Sequence, residues 1–233
     1  MPVKTSESQR SAAGRPEGRP AVAGAFRLVP AIGGERRAQV EDLIRRRYAE
    51  RYQARIRHFM PCLLGLEAAD GRVLGAVGWR SAQDGALFLE RYLGEPIERA
   101  IERRAGRPAA RGSIVEVGNL AAEGRGAARR LIVAVTGLLA EKGFRWVAFT
   151  GTPSLLNSFH RLGLAPCPIA PADPACVAGE LADWGSYYEH RPQVMAGEIL
   201  AGHRSLARSG AYASVAAAAR PHEAMEAAHV PCN

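Results

Sequence analysis

The chain has 233 residues, 47% of them hydrophobic and 23% charged, which suits one packed domain with tails and excludes a wholly disordered protein. Its net charge of +8 comes mostly from arginine, which favours acidic or phosphorylated partners over basic ones. The arginine excess in an Ala/Gly-rich chain is equally what a GC-rich genome produces. The longest apolar run, Leu131 to Ala140, is too short to span a bilayer, and the N-terminus has no apolar signal core. A soluble, cytoplasmic protein is therefore expected. The four cysteines, Cys62, Cys167, Cys176 and Cys232, are far apart and form no C-x-x-C pair. They read as reduced thiols, with no structural metal site.

Residues 1–24 are rich in Ser, Ala, Gly, Arg and Pro and read as a disordered tail. Residues 25–200 read as one domain, and residues 201–233 as an Ala-rich tail, helical or disordered. Phe26 to Val29 suits a first strand. A helix from about Glu35 to Ala54 follows, with Val40, Leu43, Ile44, Tyr48 and Tyr52 at helical spacing and arginines on the other side. That basic side reads as a solvated face, or alternatively as a docking face for an acidic carrier. Cys62–Ala68 and Val73–Trp79 flank Asp70-Gly71 and read as a hairpin. Leu87 to Leu93 is a short apolar segment, and a helix from Pro96 to Arg104 follows it.

The most informative stretch is Ser113 to Gly143. A strand, Ile114–Val117, leads into the turn Glu123-Gly124-Arg125-Gly126 and then a long helical pattern. Glycines allow close backbone approach, and the free N–H groups of a first helical turn attract an anion. A plain strand–turn–helix connection reads the same way. Arg129 and Arg130 near the positive end of the helix dipole are unfavourable unless an anion sits there. Phe144–Thr150 then suits a strand, and Pro153–Leu162 a helix with Thr152 as its cap. Ala165 to Pro174, with four prolines, reads as loop. Tyr187 onward suits the start of a last strand, and Gln193 to Ile199 a further short strand or turn. The alternation of strands and helices predicts an α/β (α+β) fold: a mixed central sheet flanked by helices, in a single domain.

That order, with its Gly-rich loop after the fourth strand, resembles the GNAT-like acyltransferase superfamily. There a Gln/Arg-x-x-Gly-x-Gly/Ala loop holds the pyrophosphate of acyl-CoA; here the aligned residues are Ala121-Ala122-Glu123-Gly124-Arg125-Gly126. Both glycines match, while Ala121 replaces the first polar residue and Glu123 adds a negative charge. Several blocks resemble the thermostable hemolysin family more closely. They are Phe88–Leu93 with Pro96–Glu98, Ile114–Ala121, Trp146–Thr150, Asn157–Leu164 and Trp184–Tyr188, spread over about residues 26–197. Glu116-Val117-Gly118-Asn119 sits where acyl-homoserine-lactone synthases carry Glu-x-Ser-Arg, with Asn119 in place of the arginine. Phe159 stands where the superfamily usually has a tyrosine that protonates the leaving thiolate.

The resemblance implies an N-acyltransferase that moves an acyl group from an acyl carrier protein or acyl-CoA thioester to a small amine. The alternative is the membrane-active lytic protein of the family's name, for which the Arg-rich first helix is the one candidate segment. A backbone N–H at the end of the fourth strand, from Asn119 or Leu120, would meet the thioester oxygen. Glu116 is the candidate for handling the acceptor amine, with a salt bridge to an arginine as its structural reading. Glu90, in an otherwise apolar segment, is a further catalytic candidate, or the solvent side of a strand. Gly124, Arg125, Gly126, Arg129 and Arg130 are the expected phosphate contacts, for CoA or the phosphopantetheine of a carrier. Asn157 would bond the pantetheine arm, or act as a cap. Gly118, on the same strand face as Glu116, leaves room for an acyl chain or marks a splay between strands. Trp184, Tyr187 and Tyr188 suit either a pocket wall or the core. No metal and no nucleic-acid partner is expected, since no motif for either is present; a membrane surface is the weaker expectation.

Overall fold

The computed structural model describes residues 26–216; the expected N-terminal tail and most of the C-terminal one lie outside them. Seven strands form one mixed sheet in the order β1-β2-β3-β4-β5-β7-β6. They are β1 (Phe26–Pro30), β2 (Cys62–Ala68), β3 (Val73–Ser81), β4 (Ile114–Ala122), β5 (Trp146–Gly151), β6 (Cys167–Pro171) and β7 (Gln193–Glu198). Only β4 and β5 pair in parallel; every other neighbour is antiparallel. The crossover between the parallel pair is α3 (Gly124–Glu141), as a parallel connection requires.

Each helix covers the sheet with the stripe its sequence dictates. In α1 (Gly34–Tyr52), Val40, Leu43, Ile44 and Tyr52 are buried and pack with Leu63, Ala76 and Ala121 on one face of the sheet. On the other face, Ala127, Leu131, Val135 and Leu139 of α3 meet Leu64, Leu66, Val77 and Val115. Ile132 and Val133, on a second stripe of α3, pack against Leu162, Leu164 and Leu206. α2 (Ile97–Ala105) buries Ile97 and Ile101 beside Ile114, Trp146 and Ala148. Burying a side chain of this size contributes about 1.5–3 kcal/mol.

The first strand, the first helix, the hairpin and α2 lie where the sequence puts them. Five regions differ. β4 runs on from Val117 to Ala122, so the Gly-rich stretch is the first turn of α3 and not a separate loop. Leu87–Leu93 holds a 3₁₀ turn, Phe88–Tyr92, because side-chain carboxylates accept its N–H groups: Glu116 from Phe88 and Leu89, Glu90 from Leu87. Cys167–Pro171 is a strand despite its prolines, and it can be one because it lies at the sheet edge. Tyr187–His190 is a 3₁₀ turn ended by left-handed Arg191, and the last strand begins only at Gln193. α5 (Ile199–Arg208) straddles residue 200, and its Leu206 is fully buried against α3. Cys167 and Cys176 are free thiols.

Gly185 locks the 3₁₀ region onto the end of α1. Its φ is +51°, and a Cβ there would overlap the carbonyl oxygen of Tyr52, which already accepts the N–H of Ser186 at 2.8 Å. Gly185→Ala is therefore expected to cost about 2–3 kcal/mol, from backbone strain plus overlap. A urea unfolding curve of the variant against the parent checks this.

Candidate active site

The site arises from the way β4 leaves both its neighbours. Its parallel pairing with β5 starts at Ile114–Trp146 and ends at Val117–Phe149. On the other side its pairing with β3 jumps from Gly78–Gly118 to Ala76–Ala121. One extra residue on β4 makes a β-bulge there. Asn119 and Leu120 are thus paired with neither neighbour. Asn119 has φ +51°, a left-handed conformation that asparagine tolerates better than most residues. Its Oδ1 fixes the bulge by accepting the N–H of Met60 at 2.8 Å. Beyond the bulge the two strands part, and the gap opens into a cleft of about 1210 Å³ that reaches both faces of the sheet.

On the α3 face the cleft is bounded by Leu120, Gly124, Arg125 and Arg129, and by Asn157 and Phe159 of α4 (Pro153–Arg161). Glu123, at the cap position of α3, gives no side-chain hydrogen bond to the helix; it pairs with Arg46 of α1 instead. The N–H groups of the first turn are left without a cap, and Gly124 has φ +83°. Arg125 and Arg129 have no carboxylate partner among the described residues. Uncapped N–H groups, a glycine and two unpaired guanidiniums form a cradle for an anion such as a pyrophosphate. Phe159 stacks on Phe149, ring centroids 4.9 Å apart and 21° between planes, and builds an apolar part of the cleft wall.

On the α1 face the wall consists of Arg47, Tyr48, Arg51, Tyr52 and Tyr187. Tyr52 meets Tyr187 edge to face at 5.2 Å, and Tyr48 lies 5.8 Å from Tyr52. Burial raises the Tyr48 phenol above its ordinary range, and the neighbouring Tyr52 adds to that. Tyr187 is raised by burial too, with Tyr48 and Tyr52 contributing.

The residues singled out in the sequence fall into two groups. Asn119, Leu120, Gly124, Arg125, Arg129 and Asn157 line the cleft, and Gly126 stands in the same first turn of α3. Glu116, Glu90 and Arg130 are not on the cleft wall. Glu116 is 3% exposed and accepts the N–H of Phe88 at 2.9 Å and of Leu89 at 3.1 Å. It anchors the 3₁₀ turn to β4. Burial pushes its carboxyl above the usual range, against the pull of those two hydrogen bonds. Glu90 belongs to a separate depression with Arg111. Burial pushes its carboxyl up, but the Arg111 guanidinium and the N–H groups of Ile97 and Leu87 outweigh burial and hold it low. Arg130 turns away, with its guanidinium 4.2 Å from the ring centre of Phe26. The space beside Gly118 is filled by Met60, whose Cε would lie 2.7 Å from a Cβ there.

Sequence reasoning missed the α1 contribution. Arg51, Tyr48 and Tyr52 read as solvated face and core, and only the placement of α1 across β3 and β4 brings them to the cleft. The available signal was the i, i+4 repeat of Arg47/Arg51 beside Tyr48/Tyr52, one stripe that is both basic and aromatic. Among the described residues no cluster of His, Cys, Asp and Glu is placed to hold a metal, and no helix is long and apolar enough to cross a membrane.

The fold is shared with an N-acyl amino acid synthase and an AHL synthase of known structure. The structure is similar to FeeM, an N-acyl amino acid synthase from uncultured soil microbes, with a TM-score of 0.54 at 14% identity over 77% of this chain and 93% of that one. It is also similar to TofI (TM-score 0.50, 15% identity, 77% of this chain and 96% of that one) and to the AHL synthase LasI (0.50, 9%, 75% and 89%). No curated protein matches the sequence. The model of one family, thermostable hemolysin, matches residues 32–203, and the chain belongs to that family.

Glu116 gives a pH signature. Its folded pKa lies above its unfolded one, so the folded state holds the extra proton between the two values. Stability from this group is present below the unfolded value and falls as the pH rises through the folded one. In urea midpoints taken from pH 4 to pH 8, the difference between the parent and Glu116→Gln is expected to shift in the variant's favour as the pH rises.

Proposed function

We propose that the protein is an N-acyltransferase that moves an acyl group from a phosphopantetheine thioester, carried by CoA or by an acyl carrier protein, to a small amine. The observation that supports this most is the uncapped, glycine-bearing start of α3 with Arg125 and Arg129 unpaired, placed beside unpaired backbone at the β4 bulge. The donor's phosphates lie on the first turn of α3, and Asn157 faces its pantetheine arm. The thioester oxygen accepts a backbone N–H from Asn119 or Leu120, held where negative charge develops. The amine enters neutral from the α1 face. Its nitrogen attacks the thioester carbon, the C–N bond forms and the C–S bond breaks. One proton passes from nitrogen to the departing sulfur. Phe159 supplies no proton, and a thiolate is a good enough leaving group to go without one at the moment of cleavage. Glu116 and Glu90 act by position: Glu116 ties the 3₁₀ turn to β4, and Glu90 ties that turn to α2 and Arg111.

The arginines of α1 do not choose between the two donors. Arg36, Arg37, Arg45, Arg46 and Arg47 are ion-paired with Glu67, Glu41, Asp42, Glu123 and Glu50 in turn, so little free charge is left for a carrier to meet. Nor does α1 offer a membrane an apolar face, because Val40, Leu43, Ile44 and Tyr52 are buried in the core.

Calorimetric titration with CoA, an acyl-CoA and an acylated carrier protein tests the proposal and picks the donor. Gly126→Asp puts a negative charge in the first turn, which suits the helix dipole but repels phosphate. It is expected to keep the fold and lose donor binding by a factor of ten or more; Arg125→Ala and Arg129→Ala should each lose about 1.5–3 kcal/mol of binding. Donor affinity unchanged in Gly126→Asp, or no donor bound by the parent, overturns the proposal.

A further inference from the structure

The α1 half of the cleft has a polarity that bears on the acceptor. Tyr52 and Tyr187 are each 8% exposed and line the cleft beside half-buried Tyr48. Their rings are packed, yet none of the three hydroxyls has a hydrogen-bond partner among the described residues. Tyr92 and Tyr188, in the same aromatic cluster, bond each other through their hydroxyls at 2.6 Å. None of the three hydroxyl oxygens is among the described atoms buried without a partner, so on the cleft wall they stay open to the cleft and suit a polar ligand group.

Charge narrows the class. Arg47 is ion-paired with Glu50, but Arg51 meets no carboxylate; its guanidinium lies 5.4 Å from the ring centre of Tyr52. Along the whole cleft lining the one carboxylate is Glu198, and Arg107 holds it at 2.7 Å. A second ammonium group on the acceptor would find no counter-ion, whereas an anionic group finds Arg51. The fork of an arginine matches a carboxylate, and the flat faces of Tyr48, Tyr52 and Tyr187 suit an apolar or aromatic side chain.

We propose that the acceptor is an amino acid: a primary amine that also carries a carboxylate, bound by Arg51 and the hydroxyls of Tyr52 and Tyr187, with its side chain against the tyrosine wall. The inference rests on the acyl-transfer reading and adds the chemical class of its second substrate. The product is then an N-acyl amino acid, with one amide bond formed for one thioester broken.

Binding of product analogues tests this without turnover. The probes are N-decanoyl-phenylalanine, the same amide without its carboxylate (N-decanoyl-phenethylamine), N-decanoyl-phosphoethanolamine and N-decanoyl-putrescine. The carboxylate is expected to bind about tenfold or more tighter than the amide lacking it, the gain typical of a charge-assisted hydrogen bond. Arg51→Gln, a change at an exposed position, should erase that preference while CoA or carrier binding stays as in the parent. Tyr52→Phe and Tyr187→Phe should each weaken the carboxylate probe several-fold. Equal affinity for the first two probes, tighter binding of the phosphate or the ammonium probe, a preference that survives Arg51→Gln, or no binding of any probe overturns the proposal. A failure of the acyl-transfer reading is seen separately, in donor calorimetry on the parent protein.

Discussion

The cleft in this molecule depends on a sheet that stops being a sheet halfway along β4. Four parallel pairs, Ile114–Trp146 to Val117–Phe149, hold β4 to β5, and then the hydrogen bonding ends. Unpaired backbone inside a protein is costly unless something else satisfies it. Here the bulge at Asn119 turns the strand, and the asparagine side chain ties that turn to Met60. The opening that results is reached from α3 on one face and from α1 on the other.

The surroundings keep the opening in shape. Gly78 and Gly118 are cross-strand partners, and together they form a slot that Met60 fills. Glu116, two pairs earlier and so on the same face, reaches into the 3₁₀ turn at Phe88 and holds it down. That turn carries Tyr92, whose hydroxyl meets Tyr188, so the clamp extends to the segment that places Tyr187. The arginines divide by role in the same economical way. Those along α1 are largely answered by carboxylates, while Arg51, Arg125, Arg129 and Arg161 border the cleft with no carboxylate partner among the described residues. Net charge alone does not separate these two populations; pairing does.

Much of this was legible in the sequence, for local reasons. Helical spacing marks α1 and α3, Asp70-Gly71 marks the hairpin, and the two glycines after β4 mark the start of α3. What was not legible depends on contacts between distant segments. Glu116 reads either as a residue that handles the acceptor amine or as a salt-bridge partner, because strand alternation says nothing of the N–H groups of Phe88 and Leu89 that come to meet it. Gly118 reads as room for an acyl chain or as the mark of a splay between strands; it lines the cleft where the strands part, but Met60, far away in sequence, fills the space beside it. Arg130 sits one helical turn after Gly126 and reads as a phosphate ligand, but the stripe it occupies faces β1 and Phe26. β6 is hidden by prolines that would break a central strand and are harmless at an edge.

Those prolines have an effect of their own. β6 ends the sheet, with Pro168 opposite Met195 and Pro171 opposite Gln193 of β7. Proline has no N–H, so two of the five positions on this border cannot donate to a strand arriving from outside. The border is thereby a poor template for β-extension. Self-association along it, whether as an ordered continuous sheet or as the start of an aggregate, is discouraged by residues that do nothing else for the cleft.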